Sequence, residues 1–416
     1  MADLWLAAEG LPRESSRSEV WAFMGQDRLL PATESGPALA YVVVYQPQGL
    51  ALVSGDDRIQ PVLAFADDAT FRWDQPERNF MRHYLNTEVP NRYKALASQG
   101  VEAVHPTWVA LRNRPAEVQE ALSPSRPSGG PTAAILGTTL MEWDTAAWDQ
   151  SPYYNDTVLA QNGNIAGIPT GCTATAMAIK MRFHEWPPTG NSSHSYSDVE
   201  GAVQYTHSVD FGSQSYIWAN MPTTNLTAPN AAVADLMYHA GVAVEMDYEV
   251  GGSGAWPTTT SMNTFFRYRG TTELFSDHEN PMRDSILAGL PVILSSSAHT
   301  VVADGYRDTV APYFHLNAGW GGSSTDWYSL SEIPGGDPTI DRSYPYSSPS
   351  NYVFVDAAWT GTENGDVDTP YDTVSEGAGA VPAQGAVRRP ERRVRDGETD
   401  RDVGAAQPAH RLSDVL

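Results

Sequence analysis

The segment CTATAMAIKMRF, residues 172–183, constrains the fold more than any other part of the chain. We predict a helix here, with Thr170 as its N-cap and its end near Phe183, before Pro187. Apolar side chains fall on most faces of that helix. Because a helix that is apolar on most faces has to be buried, the sequence predicts a central helix around which a larger domain folds.

Cys172, the first residue of this helix, is the only cysteine among 416 residues. A single cysteine excludes an intrachain disulfide and any zinc site built on several thiolates. In the first turn of a helix, unpaired backbone N–H groups and the helix dipole favour a thiolate, which would make the sulfur nucleophilic. The alternative is a small, buried, apolar side chain, which is the commoner role of a free cysteine.

The composition is that of a globular and strongly acidic chain. Hydrophobic residues make up 41% of it, and the formal net charge is −24. Such a surface repels nucleic acid and anionic lipid, so we expect neither as a partner. No apolar run approaches the roughly 20 residues that a membrane-spanning helix needs. The first residues, MADLWLAAEGLPRESS, lack the basic and apolar regions of a signal peptide.

Local composition predicts the domain organisation. Residues 38–66 contain three apolar runs with a PQG turn between the first two, which predicts an antiparallel meander. ERNFMRHYL and NRYKALA predict two helices separated by a break at Pro90. The segment ALSPSRPSGGPTAA is typical of an exposed linker. The predicted order is an N-terminal segment 1–19, a small α+β domain 20–120, a linker 121–134, a large α+β domain 135–358 and a disordered polar tail 359–416.

A second candidate for chemistry lies where HTVVAD and PYFHLN predict two strands joined by the turn-rich GYRDTVA. If the turn runs from Gly305 to Ala311, His299 lies directly opposite Asn317, with Cβ atoms about 4.5 to 5.5 Å apart. An asparagine oxygen then holds one imidazole nitrogen and leaves the other to accept a proton from a thiol. The alternatives are a strand-end histidine with a turn-forming asparagine, or His315 as the base in place of His299.

These motifs, in this order, resemble those of the streptopain family of papain-like cysteine peptidases. PTGCTATAMAIKMRFHEWP is similar to the family's nucleophile helix, AHTVVADGY to its base strand, and YFHLNAGWGGSSTDWYSL to its orienting strand and glycine-rich loop. WDQSPYYN, YIWANMP and ADLMYHAGVAVEMDYEVGGSGA resemble further segments, and GLALVSGDDRIQPVLAFADD is similar to the propeptide. The resemblance implies an α+β fold in which the nucleophile helix packs on an antiparallel sheet, preceded by a small α+β prodomain.

The same resemblance implies a function. It implies a cysteine endopeptidase made as a zymogen, with protein or peptide substrates and with its own propeptide as intramolecular inhibitor until the linker is cut. It also implies a secreted protein that needs neither a metal nor an organic cofactor. The roles that it implies are Cys172 as nucleophile, His299 as acid and base, Asn317 as the group that orients His299, Gln150 as an oxyanion donor, and Trp320, Gly319 and Gly321 as substrate-binding residues.

One departure from the family pattern concerns the residue after the asparagine. The family usually has an aromatic residue there, whereas this chain has Ala318. Loss of that ring either weakens the pairing of His299 with Asn317 or leaves Trp320 to shield it from water. Two other functions stay open: an inactive relative that binds or inhibits peptidases, and a cysteine amidase or acyltransferase on the same scaffold.

Overall fold

The computed structural model describes most of the chain between residues 16 and 345. The predicted linker and the predicted tail lie outside the described residues. The described residues are 16–46, 49–66, 73, 80–112, 139–255, 259–270, 272–274, 282–295, 299–308, 312–330, 339–341 and 344–345.

Helices and strands are mixed along the chain, which confirms the predicted α+β class. The strands are β1 (Ser16–Phe23), β2 (Leu29–Pro31), β3 (Ala40–Gln46), β4 (Leu50–Ser54), β5 (Val62–Ala66), β6 (Thr139–Glu142), β7 (Ser193–Glu200), β8 (Val203–Asp210), β9 (Tyr268–Arg269), β10 (Thr272–Leu274), β11 (Val292–Ser295), β12 (Thr300–Asp308), β13 (Pro312–Asn317), β14 (Asp326–Tyr328), β15 (Thr339–Asp341) and β16 (Tyr344–Pro345). The helices are α1 (Phe80–Gln99), α2 (Pro106–Arg112), α3 (Asp156–Gln161), α4 (Cys172–His184), α5 (Ala231–Ala243), α6 (Thr259–Phe266) and α7 (282–287).

The described residues fall into two compact units. The first, called here the N-terminal unit, takes its described residues from Met1–Leu140, Tyr306–Leu316 and Ser323–Asp337. The second, called the site unit, takes them from Met141–Gly305, Asn317–Gly322 and Pro338–Leu416. The N-terminal unit therefore contains segments from both halves of the chain, and the domain boundaries given above stay a prediction.

An antiparallel sheet forms the body of the N-terminal unit. Its strands follow the order β13, β14, β5, β4, β3, β1, β2, and β3 to β5 confirm the meander predicted for residues 38–66. Strands β4 and β5 are buried along their whole length. Phe65 pairs with Trp327 across β5 and β14, with ring centroids 6.1 Å apart, and meets Tyr313 edge-on. Aromatic packing thus fixes strands from distant parts of the sequence in one core.

Helix α1 runs without interruption through Pro90, so the break predicted there is wrong. A proline inside a helix costs about 3 kcal/mol because it lacks an N–H and crowds the preceding turn. Here both halves of the helix are held by burial and by hydrogen bonds. Tyr84, before the proline, and Arg92, after it, both donate to the carbonyl oxygen of Ser329, at 2.7 and 2.8 Å. Tertiary contacts on either side of Pro90 therefore stabilise the helix across the proline.

Helix α4 lies at the centre of the site unit, as the sequence predicted. All of its side chains are buried except those of Cys172 and Arg182, and it packs against α5 and β11. Its first residue is the predicted one, but the N-cap is Gly171 and not Thr170. The Thr170 hydroxyl instead pairs with that of Thr175, at 2.9 Å. In the described part of the chain, no helix is long and apolar enough to cross a membrane.

The sheet of the site unit sets the position of the predicted histidine. Its strands follow the order β10, β15, β11, β12, with β6 beside β12. Strand β12 begins directly after His299 and runs to Asp308. The first four residues of the predicted turn, 305–308, therefore belong to the strand, and that part of the prediction is wrong. Tyr306 and Arg307 are buried, and burial of these side chains in a strand outweighs the turn preference of the neighbouring glycine and aspartate.

Candidate active site

The only cysteine of the chain opens helix α4 and is partly exposed. Burial raises the pKa of the Cys172 thiol, but two influences outweigh it. These are the hydrogen bond and charge of His299, and hydrogen bonds from the backbone and side chain of Thr300, and together they lower the pKa to about 7. At neutral pH about half of the sulfur is then thiolate, compared with about one hundredth for a pKa of 9.

Gly171 fixes the direction in which the chain enters the helix. It has φ +86° and ψ 143°, a conformation that side chains strongly disfavour. A Cβ atom at this position would lie 2.6 Å from Met246 Sδ and 3.2 Å from the Ser253 carbonyl oxygen. The Ser253 hydroxyl donates to the Pro169 carbonyl oxygen at 2.8 Å. The glycine-rich segment 247–255 therefore lies against the residues that lead to Cys172.

We expect Gly171→Ala to destabilise the protein by about 1–3 kcal/mol, because alanine is strained at this φ and ψ and its Cβ meets Met246. Urea unfolding of parent and variant measures the difference. Gly252→Ala is the matched control, because a Cβ at Gly252 meets nothing within 4 Å and the backbone there is not left-handed. Equal stability of parent and Gly171→Ala would contradict the prediction.

His299 lies beside the thiol and is held from two sides. Its Nε2 is 2.8 Å from the carbonyl oxygen of Ala318. Because a carbonyl oxygen only accepts, Nε2 carries the proton and donates it, which leaves Nδ1 for the Cys172 thiol. The ring of Trp320 covers the imidazole, with centroids 4.3 Å apart and planes inclined by 30°. Both rings are buried, so the departure at Ala318 leaves Trp320 as the aromatic cover of the histidine.

The side chain of Asn317 does not hydrogen-bond His299 as the strand register predicted from the sequence implied. Its side-chain amide donates to the Thr145 hydroxyl at 2.9 Å and to the Ala146 carbonyl oxygen at 3.0 Å, and its oxygen accepts from the Gly319 N–H at 3.0 Å. Among the described residues, none of its side-chain hydrogen bonds goes to His299. The hydrogen bond predicted between Asn317 and His299 is therefore wrong. The register was counted from a turn beginning at Gly305, where the strand in fact continues to Asp308.

The loop 317–321 nevertheless connects Asn317 to the imidazole through the backbone. Asn317 bridges segment 145–146 and Gly319, and the residue between, Ala318, supplies the carbonyl oxygen that His299 binds. The Gly321 N–H donates to the Trp148 carbonyl oxygen at 2.9 Å. The loop is thus fixed at both ends to the segment that precedes Gln150.

The two glycines of this loop are required by its geometry. Gly319 and Gly321 have φ +68° and φ +65°. A Cβ at Gly319 would lie 2.9 Å from Thr175 Cγ2 on helix α4. The backbone around Trp320 therefore passes too close to the helix for any larger residue at Gly319.

A backbone hydrogen bond places Gln150 next to the segment that leads into helix α4. Its carbonyl oxygen accepts a hydrogen bond of 3.2 Å from the Thr170 N–H, two residues before Cys172. Its own N–H donates to the Asp149 carboxylate at 2.6 Å, and its side chain is partly exposed. The structure thus brings Gln150, Cys172, His299 and the 317–321 loop into one unit.

His315, the alternative base in the sequence prediction, is not a residue of the site unit. His315 belongs to the N-terminal unit, where it is buried and packs on Trp327 with ring centroids 5.1 Å apart. Within the described ranges, no group of three or more His, Cys, Asp or Glu side chains is placed to hold a metal ion.

Sequence reasoning missed two threonines of the site. Thr173 follows Cys172 and Thr300 follows His299, and their hydroxyls are 3.2 Å apart. The signal was present in the sequence, since each of the two chemically distinctive residues is followed directly by a threonine. What the sequence did not show is that the two hydroxyls meet.

A cysteine at the start of a buried helix, beside a histidine that directly precedes a neighbouring strand, is the arrangement expected from the resemblance to cysteine peptidases. Comparison with known families is more specific. The model of the Peptidase C10 family matches residues 148–328 of this chain. The family resemblance noted in the sequence is thereby confirmed.

Similar proteins cover more of the chain than the family model does. The thiol protease/hemagglutinin PrtT of Porphyromonas gingivalis is 25% identical over 337 residues, which are 76% of this chain and 37% of PrtT. Streptopain of Streptococcus pyogenes is 22% identical over 324 residues, which are 70% of this chain and 74% of streptopain. Among solved structures, a prointerpain A fragment of Prevotella intermedia has the same fold, with a TM-score of 0.57, 21% identity, and coverage of 80% of this chain and all of the fragment.

Proposed function

We propose that this protein is a cysteine endopeptidase made as a zymogen, which hydrolyses peptide bonds through Cys172 and His299. The observation that carries the proposal is the hydrogen bond between these two side chains, which lowers the pKa of a partly exposed thiol to about 7. A buried cysteine with a purely structural role needs neither a lowered pKa nor exposure to solvent. The match of residues 148–328 to the model of the Peptidase C10 family supports the same reaction.

The first half of the reaction forms an acyl-enzyme. The Cys172 thiolate attacks the carbonyl carbon of the scissile peptide bond, while His299 holds the proton that came from the thiol. When the tetrahedral intermediate collapses, the C–N bond breaks and His299 gives this proton to the leaving amine. A thioester between Cys172 and the acyl part of the substrate remains.

The second half of the reaction reverses these roles. His299, now neutral, takes a proton from water, and the resulting hydroxide attacks the thioester carbon. The C–S bond breaks, and the thiolate and imidazolium are restored. In both halves, the backbone N–H of Cys172 and the side-chain amide of Gln150 stabilise the negative oxygen of the intermediate. The backbone contact between Gln150 and Thr170 supports this role, because it ties Gln150 to the residues before Cys172.

Asn317 acts on His299 indirectly in this proposal. Its three hydrogen bonds fix the backbone of the loop, and the loop presents the Ala318 carbonyl oxygen to Nε2. Trp320 keeps water from that contact and, with Gly319 and Gly321, forms a wall for the bound peptide. This assignment differs from direct orientation by the asparagine oxygen, since the backbone carbonyl now accepts the proton of the imidazole.

We further propose that residues 20–120 correspond to the inhibitory propeptide, released by a cut in the linker 121–134. The similarity to a fragment of prointerpain A, which covers 80% of this chain, supports an N-terminal pro-segment. Protein substrates and export from the cell follow from the same family relationship and belong to the proposal.

Two measurements on the purified full-length chain test this function. The first is self-cleavage, with new N-termini expected between residues 121 and 140. The second is digestion of casein before and after alkylation with iodoacetamide. Because Cys172 is the only cysteine, complete alkylation modifies one site, and digestion is expected to stop. Unchanged casein digestion by the fully alkylated protein would refute the proposal.

The two alternative functions give different outcomes in the same assays. A cysteine amidase or acyltransferase loses activity on small amides after alkylation and leaves casein intact throughout. An inactive relative leaves both substrates intact, and its Cys172 reacts with iodoacetamide slowly and without a midpoint near pH 7.

A further inference from the structure

A buried carboxylate lies on the strand that follows His299. Asp304 belongs to strand β12 and is 1% exposed. The Thr145 hydroxyl donates a short hydrogen bond to its carboxylate, and the Trp143 N–H donates to its carbonyl oxygen at 2.9 Å. A buried carboxylate is costly unless hydrogen bonds compensate for the water that it loses. A charged residue at this position of the strand therefore calls for a role beyond packing.

The Thr145 hydroxyl connects this carboxylate to Asn317. The Asn317 side-chain amide donates to the Thr145 oxygen at 2.9 Å. Because a carboxylate only accepts, the Thr145 proton points to Asp304, and its oxygen can only accept from Asn317. Hydrogen bonds to an ionised acceptor are stronger than neutral ones, so this direction is firmly set. Asp304 thereby determines which end of the asparagine amide faces Thr145.

These contacts close a ring that returns to the imidazole. With its nitrogen towards the threonine, Asn317 turns its oxygen to the Gly319 N–H, at 3.0 Å. Between these two residues, Ala318 presents the carbonyl oxygen that accepts the Nε2 proton of His299, at 2.8 Å. His299 directly precedes the strand that carries Asp304. The same strand therefore holds the imidazole and, through the ring, the group that accepts its proton.

We propose that Asp304 is a positioning residue of this site, which acts through Thr145 to keep the His299 imidazole in its working orientation. The inference rests on the proposed function for its catalytic meaning, although the ring of hydrogen bonds does not require peptidase activity. Without the carboxylate, the Thr145 hydroxyl can turn its proton to other acceptors, and the Asn317 amide loses a fixed partner. The loop then holds its carbonyl oxygen less firmly against Nε2, and the imidazole loses its fixed direction.

The first test follows the proton on His299 Nε2 by NMR, in the full chain made with isotope-labelled histidine. Loss of the signal in His299→Gln identifies it. A hydrogen-bonded ring proton exchanges with water when the hydrogen bond opens, so its exchange rate measures how firmly the imidazole is held. Thr145→Val keeps the shape of the side chain without its hydroxyl, and Asp304→Ala removes the carboxylate. In both variants we expect roughly 10-fold faster exchange, the effect of one lost hydrogen bond.

Three further variants make this test specific. Asp304→Asn keeps an oxygen that accepts from Thr145, and is expected to restore most of the protection. Thr157→Val is the matched control, because the Thr157 hydroxyl donates to the Asp235 carboxylate at 2.7 Å between helices α3 and α5, and we expect no change at His299. In a variant carrying both Thr145→Val and Asp304→Ala, exchange should be no faster than in either single variant, because both break the same ring.

The second test is kinetic and uses protein whose linker has been cut. We expect kcat and kcat/KM of Thr145→Val for a short peptide substrate to fall by the same factor, about 10-fold. A misplaced base weakens the transition state and leaves substrate binding unchanged. A purely structural defect would lower the melting temperature and leave the exchange at His299 and kcat at the parent values.

The outcomes separate this inference from the proposed function. If Asp304→Ala does not fold, Thr145→Val and Asp304→Asn carry the comparison. Exchange at the parent rate in Thr145→Val would overturn the inference, whether or not the protein cleaves peptides. Exchange in Asp304→Asn as fast as in Asp304→Ala would also overturn it, because the carboxylate would then act by its charge and not through the hydroxyl. Faster exchange in a chain that cleaves no peptide would refute the proposed function and leave the ring standing.

Discussion

A Cys172→Ala protein is expected to digest casein at least about 10³-fold more slowly than the parent, because no other thiol in the chain can form the acyl-enzyme. The comparison uses protein whose linker has been cut by an added protease, so that failure of self-cleavage does not hide the effect. Initial rates of casein digestion are the measurement.

Stability and a second substitution control this result. Cys172 is partly exposed and alanine is a good helix former, so the free energy of unfolding should change by less than about 1 kcal/mol. Cys172→Ser keeps a nucleophile of similar shape but lacks the lowered pKa, and its rate should fall nearly as far. If either variant digests casein at the parent rate, the nucleophile is another residue or the activity belongs to another protein.

The position of helix α4 was predictable because its signals are local. A run of apolar residues, a following pair of prolines and the start at Cys172 are all contained in one short segment. The N-cap was missed because the choice between Thr170 and Gly171 depends on distant residues. Met246 and Ser253 lie so close to Gly171 that only glycine fits, and this cannot be seen in a sequence pattern.

The arrangement around Asn317 was not predictable from local patterns. Its amide donates to Ala146, 171 positions away in the sequence. The register counted from the sequence placed the asparagine opposite His299 because Gly305 and Asp308 favour a turn, whereas the strand, with Tyr306 buried in it, continues through Gly305 to Asp308. The residues that form the site were therefore recognisable, but the atoms that meet were not.

The hydrogen bond from His299 to a backbone carbonyl oxygen also explains why this chain departs from the family pattern at Ala318. The residue after the asparagine contributes its carbonyl oxygen to His299, and its side chain is 1% exposed. A small residue allows the loop to lie this close to the imidazole, while Trp320 covers the ring from the same loop. The aromatic cover that the family pattern places after the asparagine is thus supplied from two residues further along.

His299→Gln is expected to move the alkylation midpoint of Cys172 upward from about 7 to at least 9.0, the ordinary value for a thiol. The substitution removes the hydrogen bond and the positive charge that favour the thiolate. Burial, which is the largest influence on this pKa and acts in the opposite direction, remains. The Thr300 contacts then oppose burial alone.

Casein digestion by His299→Gln should fall by about 10²–10⁴-fold at neutral pH, because the variant lacks both the thiolate and the acid that protonates the leaving amine. The pH at which activity rises separates these two losses, because high pH restores the thiolate and does not restore the acid. In the parent, activity rises as pH increases through about 7, when the sulfur ionises. In the variant, any activity that remains should rise only as pH approaches 9, since the thiolate forms there without the histidine.

Two other histidines make the test specific. His315→Gln removes the alternative base, which packs on Trp327 in the N-terminal unit, and is expected to leave the alkylation midpoint near 7. His194→Gln removes a partly exposed histidine that pairs with Glu245 at 3.0 Å, and serves as the surface control. A midpoint that moves in His315→Gln and stays in His299→Gln would exchange the roles of the two residues, because the thiol pKa follows whichever imidazole lies beside the sulfur.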